Sequence, residues 1–210
     1  MPGRFRWLTL PLLTTLSAAT TAQPSAAQSG DTLPRRLTVA AQTVPLRVGG
    51  LCEVRLAPAF AYIGGQRFVL QGVADAEQHF FVAADSSRTI HRAVWLQAEE
   101  ILPDHAGGYD YSSDSSRTVS TLQWAVNLRS NRGDPRPGSD GAAMLGYLTA
   151  RGYRFPRMGP RLRLVYLPEP RGRREVMIIY LEALEVAAPD TSLDGVLARA
   201  QAAIRVGACR

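Results

Sequence analysis

One row of side chains near the middle of the chain has the composition of a ligand site. The sequence predicts a β-hairpin in which residues 79–84 and 89–96 flank a polar turn at 85–88. If the turn is tight at Ser86 and Ser87, His91 lies opposite Val82. The row supplies the apolar wall and the few directed polar groups that a small-molecule pocket needs. Its candidate ligand-binding residues are Phe80, His91, Trp95, Gln97 and Glu99.

Catalysis at the same row is an alternative to binding. A carboxyl group beside aromatic rings has a raised pKa and can act as a general acid or base, which makes Glu99 and His91 a candidate acid–base pair. The competing interpretation is a sheet face half covered by a helix, with Gln97 and Glu99 reaching solvent. A shift of one residue in the register would disperse the row.

Arginine is the second unusual feature. All 24 basic residues are arginine, and eight of them lie between residues 151 and 174, where Glu169 is the single acid. Alternation with leucines predicts that Arg161 and Arg163 reach solvent. Because paired guanidinium donors bind carboxylate and phosphate, this region is a candidate anion-binding edge. Its members are Arg161, Arg163, Arg171, Arg173 and Arg174.

The partners that suit such an edge are a lipid head group, an acidic polysaccharide or an acidic protein surface. Nucleic acid is not expected, because no aromatic stacking motif accompanies the arginines. A solvated positive face on a protein without lysine is the competing interpretation.

A polar loop between residues 103 and 116 contains acids, a histidine and two tyrosines. Asp104, His105 and Asp110 offer oxygen and nitrogen atoms, but their spacing matches neither a calcium loop nor a zinc helix. We therefore expect a mobile connector, and we expect no metal site.

The sequence lacks the motifs of several classes of enzyme, which argues against those classes. It contains no G-x-x-x-x-G-K-[ST], no G-x-G-x-x-G, no G-x-S-x-G and no H-E-x-x-H. Since there is no lysine, a P-loop and a lysine Schiff base are excluded outright. We expect no cofactor.

The start of the chain resembles a targeting segment. Arg4 and Arg6 precede an apolar run over residues 7–19, and small residues follow it. This order predicts a signal peptide over residues 1–27, cleaved after Ala22 or Ala27, and a flexible lead-in over 28–36. No apolar stretch reaches the roughly 20 residues of a membrane-spanning helix. We expect a periplasmic or secreted protein that does not span the membrane.

The predicted export determines how the two cysteines are interpreted. Cys52 and Cys209 form an even, isolated pair near the two ends of the predicted domain. In an oxidising compartment such a pair is more often bridged than free, so a Cys52–Cys209 disulfide is predicted.

The pattern of the remaining chain indicates one domain over residues 37–210. With 210 residues, of which 46% are hydrophobic, it has enough apolar material for a core. Short strands dominate as far as residue 129, and a second hairpin joins 161–167 to 175–184. Helices are predicted from Ser139 to about Arg151 and from Thr191 or Ser192 to about Gly207. The fold class is α+β: a mostly antiparallel sheet of six to eight strands with two amphipathic helices on one face.

These features favour an exported, non-enzymatic binding module. Its ligand would be an amphipathic small molecule in a sheet–helix pocket, or an anionic partner at the arginine-rich edge. A small extracytoplasmic hydrolase or lyase is the first alternative, and a structural protein of the cell envelope is the second. Nothing in the sequence bears on the oligomeric state.

Overall fold

The structure is a computed structural model, and it describes residues 33–130, 133–187 and 189–209. The predicted signal peptide and the first part of the lead-in lie outside the described residues. The described residues form ten strands and two helices: β1 (Thr43–Val48), β2 (Leu51–Leu56), β3 (Ala61–Leu70), β4 (Ala74–Ala84), β5 (Ile90–Ile101), β6 (Ser115–Val119), β7 (Leu122–Ser130), α1 (Asp140–Thr149), β8 (Met158–Tyr166), β9 (Arg174–Ala183), α2 (Leu193–Ala203) and β10 (Ile204–Ala208).

The strands form two antiparallel sheets. Seven of them make a sheet in the order β3-β4-β5-β9-β8-β7-β6, and three make a smaller sheet in the order β1-β2-β10. The α+β class with a mostly antiparallel sheet is therefore confirmed. The two predicted hairpins, β4–β5 and β8–β9, belong to the same sheet because β5 pairs with β9 at its centre.

The large sheet is covered on both faces, by different layers. Met144 and Leu148 of α1 pack with Phe80 and Trp95 on one face. On the opposite face α2 and the small sheet pack against a separate cluster that contains Phe81. The helices thus lie on opposite faces rather than on the same one. The central strands are apolar on both sides, with nearly every residue of β9 buried, and such strands need a layer on each face.

Both helices begin where capping residues predict. The Ser139 hydroxyl accepts a hydrogen bond from the Ala142 N–H at 3.2 Å, and that of Ser192 accepts one from the Gly195 N–H at 3.1 Å. The second helix ends at Ala203, earlier than predicted, because the residues that follow alternate in burial and pair with β2 as strand β10.

The predicted disulfide is confirmed. Cys52 in β2 and Cys209 after β10 are bonded, with their Cα atoms 5.0 Å apart. The bond fastens the end of the described chain to the small sheet. Within the described residues no helix is both long and apolar enough to cross a membrane.

The register of the β4–β5 hairpin differs from the predicted one. Ala93, not His91, lies opposite Val82, and a bulge separates the Ala83–Arg92 and Ala84–Ile90 pairs. The turn is longer than two residues because the Asp85 carboxylate accepts hydrogen bonds from the Thr89 N–H at 2.9 Å and the Ser87 hydroxyl at 2.6 Å. Since the shift is two residues, the alternation survives, and Phe80, Trp95, Gln97 and Glu99 still share one face.

Candidate functional site

Two buried glutamates face each other across the centre of the large sheet. Glu99 of β5 and Glu175 of β9 are directly opposed in the register, so their side chains leave the sheet on the same face with their Cβ atoms about 5 Å apart. They are 7% and 2% exposed. A carboxyl group this deeply buried needs hydrogen-bond partners or a proton, and each glutamate has at least one hydrogen-bond donor beside it.

Each glutamate receives a tyrosine hydroxyl from the loop that follows β5. The Tyr109 hydroxyl donates to Glu99 Oε2 at 2.9 Å, and the Tyr111 hydroxyl donates to Glu175 Oε2 at 2.7 Å. The two rings are nearly parallel, with centroids 6.5 Å apart. Burial and the neighbouring carboxyl groups raise the pKa of both tyrosines, so they stay protonated and act as donors.

The β8–β9 connection holds this loop in place. Gly108 lies so close to the Arg171 carbonyl that a side chain would not fit there, and the Tyr109 N–H donates to the Gly172 carbonyl at 2.9 Å. The Arg173 guanidinium donates to the carbonyls of Ile101, Leu102 and His105. The loop expected to be a mobile connector is therefore tied down at several points, and these ties place the two tyrosines.

A chain of buried amides ends at Glu99. The Gln66 amide donates to Gln78 at 2.8 Å, Gln78 donates to Gln97 at 2.6 Å, and Gln97 donates to Glu99 Oε1. Gln78 and Gln97 each accept one of these hydrogen bonds and donate the next, so the row crosses three strands as one connected chain. It fixes the position of the Glu99 carboxyl group.

The glutamate pair retains a proton at neutral pH. Burial, and then the charge of Glu99, raise the pKa of Glu175 to about 8. Burial also raises the pKa of Glu99, against the hydrogen bonds from Gln97 and Tyr109. Two opposed carboxylates cannot both ionise cheaply, so the pair shares its titration. Glu175 Oε1 has no hydrogen-bond partner among the described residues.

A cleft of about 500 Å³ lies beside this pair. Its apolar lining includes Leu70, Met177 and Ile179. Asp140, the first residue of α1, borders it, and the Gln78 amide donates to the Asp140 carbonyl at 3.1 Å. The cleft is thus the part of the sheet face that α1 leaves uncovered.

Two arginines of β8 line the same cleft. Arg163 donates to the Asp114 carboxylate at 2.7 Å, and its guanidinium carbon lies 4.9 Å from the centre of the Tyr111 ring, but its buried Nε has no partner among the described residues. Arg161 is half-buried and makes no ion pair or side-chain hydrogen bond with the described residues. Burial lowers the pKa of Arg161, and the charges of Arg129 and Arg163 act in the same direction, against the carboxylate of Asp140.

Of the five predicted ligand-binding residues, only Glu99 lines the cleft. Phe80 and Trp95 are directly opposed, but they are buried beneath α1 as part of the core. Gln97 belongs to the amide chain. His91 is half-exposed at the far end of β5, with Nε2 3.7 Å from the Asp85 carboxylate. Eight residues of strand, about 26 Å, separate His91 from Glu99, so the structure does not bring together the proposed acid–base pair.

The arginines of the predicted anion-binding edge have three different surroundings. Arg161 and Arg163 line the cleft instead of reaching open solvent. Arg173 is occupied with backbone carbonyls. Arg171 is 83% exposed, with a carboxylate oxygen of Asp110 3.9 Å away, and Arg174 is exposed at the start of β9.

Sequence reasoning missed Glu175 as the partner of Glu99. Alternation along β9 places Glu175 on the same side as the buried Met177 and Ile179, so a charged residue at that position was a usable signal. Tyr109 and Tyr111 are the two tyrosines of the polar loop at 103–116, and the sequence pattern assigns them no role in a site. In the described part of the chain no three His, Cys, Asp or Glu residues are grouped so as to hold a metal ion.

Comparison of the chain with protein-family models, with curated proteins and with solved structures found no match.

Proposed function

We propose that the protein is an exported, non-enzymatic binding module that holds an amphipathic small molecule in the cleft beside Glu99 and Glu175. One observation carries the proposal. Three charged side chains that retain polar atoms without a protein partner among the described residues line one mostly polar cavity: Glu175 (Oε1), Arg163 (Nε) and Arg161 (the guanidinium).

Unpartnered polar groups of this kind are costly in a folded protein. A buried donor or acceptor without a partner costs about 1–3 kcal/mol, and most such groups are satisfied. Among the three, Arg163 Nε is such a buried donor. A ligand in the cleft can supply hydrogen-bond partners to Glu175 Oε1 and to the Arg161 guanidinium. The volume of about 500 Å³ also lies in the range usual for small-molecule sites.

The amphipathic character of the ligand follows from the lining. Leu70 and the edges of the largely buried Met177 and Ile179 give the cleft a small apolar strip, while the protonated form of Glu175 offers an O–H donor. The surrounding amides and tyrosines hold the glutamates in position before a ligand arrives, which lowers the ordering cost of binding.

Export is supported by the cysteine pair. A disulfide between Cys52 and Cys209 persists in oxidising compartments and is uncommon in the bacterial cytosol. The signal sequence predicted over residues 1–27 accounts for delivery to such a compartment.

The test is the mass of the purified protein, recorded under native and then under denaturing conditions. Extra mass present only in the native spectrum is expected, and it would characterise the ligand. Leu70→Trp, which fills the cleft, should remove that mass. Val73→Trp adds the same ring at a position 40% exposed outside the cleft lining and should retain it. Equal retention by both variants would place the ligand elsewhere.

A small hydrolase or lyase is the second candidate, and the opposed glutamates favour it with Glu175 in place of His91. In enzymes that use a pair of carboxyl groups as acid and base, one group is protonated and the other is ionised. The raised pKa of Glu175 suits the protonated group, which acts as the general acid. On this hypothesis Glu175→Gln abolishes the hydrolysis of a panel of chromogenic esters and glycosides. Glu100→Gln, at a neighbouring position that is 51% exposed, is the matched control. Absence of turnover by the wild type favours binding.

A further inference from the structure

We infer that Arg161 is the anchor for an anionic head group, so that the ligand of the cleft is an amphipathic anion with a carboxylate or phosphate at one end. This inference rests on the proposed binding function and specifies the class of ligand. It starts from an imbalance of charge at one end of the cleft.

Three guanidinium groups are crowded at that end. Arg129 of β7 is directly opposite Arg161 in the register, and Arg163 follows two residues later on the same face of β8. Among the described residues the single carboxylate in ion-pair distance of this cluster is Asp114, which is bound to Arg163. Arg129 donates to the neutral amide of Asn127 at 3.0 Å. The cluster therefore has two more positive charges than negative partners.

Arg161 bears the largest cost of this arrangement. It is half-buried and borders the cleft, so part of its hydration is lost without a carboxylate in return. Asp140 lines the same cleft but is not within ion-pair distance of Arg161. Guanidinium presents its donors as a planar fork that matches carboxylate or phosphate, so an anion in the cleft supplies the missing partner.

The apolar lining sets the direction of the rest of the ligand. Arg161 lies opposite Leu181 of β9, six residues or about 20 Å along the strand from Glu175. Met177 and Ile179 lie between these two ends. A molecule with its anionic head at Arg161 can therefore extend along the cleft, past the small part of Met177 and Ile179 that borders it, towards Glu175. The retained proton on the glutamate pair limits repulsion at that end.

Titration calorimetry with four ten-carbon probes tests this inference: decanoate, decyl phosphate, decanol and decylammonium. The wild-type protein should bind the two anions more tightly than the other probes. Arg161→Gln should weaken anion binding roughly 10- to 100-fold, the usual effect of losing a charge-assisted contact, and should leave decanol unchanged. Arg171→Gln removes the same charge from an exposed arginine outside the cleft and should change nothing.

The two anions distinguish a carboxylate head group from a phosphate head group by their relative affinity. If decanol or decylammonium binds as tightly as the anions, or if Arg161→Gln binds decanoate as the wild type does, the inference is wrong and the proposed function stands. If none of the probes binds and the native mass is that of the bare chain, both fail.

The melting temperature of Arg161→Gln distinguishes a variant that does not fold from one that has lost only its anion-binding group. Because Arg161→Gln removes an unpaired, half-buried charge, its melting temperature should equal or exceed that of the wild type without ligand. Arg161→Lys keeps the charge but not the fork, and partial loss of anion affinity is expected from it. Unchanged anion affinity in Arg161→Lys, together with a poorly folded Arg161→Gln, would contradict the assignment of a guanidinium anchor.

Discussion

Glu99 and Glu175 occupy directly opposed positions on β5 and β9, and each accepts a hydrogen bond from a tyrosine of one short loop. Whether this part of the sheet face borders a cleft depends on where α1 begins. The helix covers Phe80 and Trp95, and its first residue, Asp140, lies over Gln78. Beyond that point the same sheet face borders the cleft. The position of one helix N-terminus thus separates core from candidate site on a continuous sheet.

The first prediction concerns pH and stability. The pKa of Glu175 is about 8 in the folded protein against 4.5 ordinarily, so the folded state binds more protons than the unfolded state between these values. The free energy of unfolding should therefore fall as the pH rises from 5 to 8. Glu99, Tyr111, Arg163 and Asp140 face the same carboxyl group and contribute to its shift. Urea unfolding followed by tryptophan fluorescence at several pH values measures the slope.

Glu175→Gln should make this dependence shallower, because the amide does not titrate, and the part that comes from the buried Glu99 should remain. Glu100→Gln should retain the wild-type slope. A wild-type stability that rises between pH 5 and 8, or a Glu175→Gln variant with the wild-type slope, would show that Glu175 titrates near its ordinary pKa.

The second prediction concerns Tyr111. Its hydroxyl donates to Glu175 and thereby lowers the pKa of that carboxyl group against the effect of burial. Tyr111→Phe should raise the pKa of Glu175 further and cost about 1 kcal/mol in the free energy of unfolding. Carboxyl-carbon NMR titration measures the pKa directly. Tyr153→Phe, on a ring outside the cleft lining, should leave it unchanged, and an unchanged pKa in Tyr111→Phe would argue against the hydrogen bond.

Much of the fold could be predicted from local patterns. The second hairpin follows from two β-prone apolar segments on either side of a turn rich in proline and glycine, and Ser139 and Ser192 mark the helix starts as side-chain caps. The predicted disulfide between Cys52 and Cys209 also holds. These features depend on neighbours in the sequence or on the chemistry of one residue type.

The candidate site could be predicted only in part, because it depends on pairing between distant strands. Glu99 was recognisable from the face it shares with Phe80 and Trp95. Its partner Glu175 lies 76 residues later, and only the β5–β9 pairing brings them together. The role of Trp95 was misjudged for a similar reason, since the helix that buries it comes about 45 residues later in the chain. No local pattern states which part of a sheet face a helix will cover.

The third prediction separates two adjacent arginines. Arg173 donates to three backbone carbonyls at the start of the loop that holds Tyr109, whereas Arg174 is exposed. Arg173→Gln should loosen that loop and raise its rate of cleavage in limited proteolysis severalfold. Arg174→Gln should be cleaved as slowly as the wild type. If only the loss of positive charge mattered, both variants would be cleaved at the same rate. Peptide mapping identifies whether the cleavage sites lie in the loop that holds Tyr109.

The fourth prediction concerns the disulfide and its independence from the cleft. Cys52 and Cys209 are 157 residues apart in the chain, and closing so long a loop restricts the unfolded state. Replacing both with alanine should lower the free energy of unfolding by up to about 4–5 kcal/mol in urea. The small sheet packs on the face of the large sheet opposite the cleft, so the folded fraction should bind decanoate as the wild type does. Loss of binding with an unchanged circular dichroism spectrum would instead mean that the two faces are coupled. The coupling between the two faces would then pass through the central strands, since β5 and β9 contribute buried side chains to both faces.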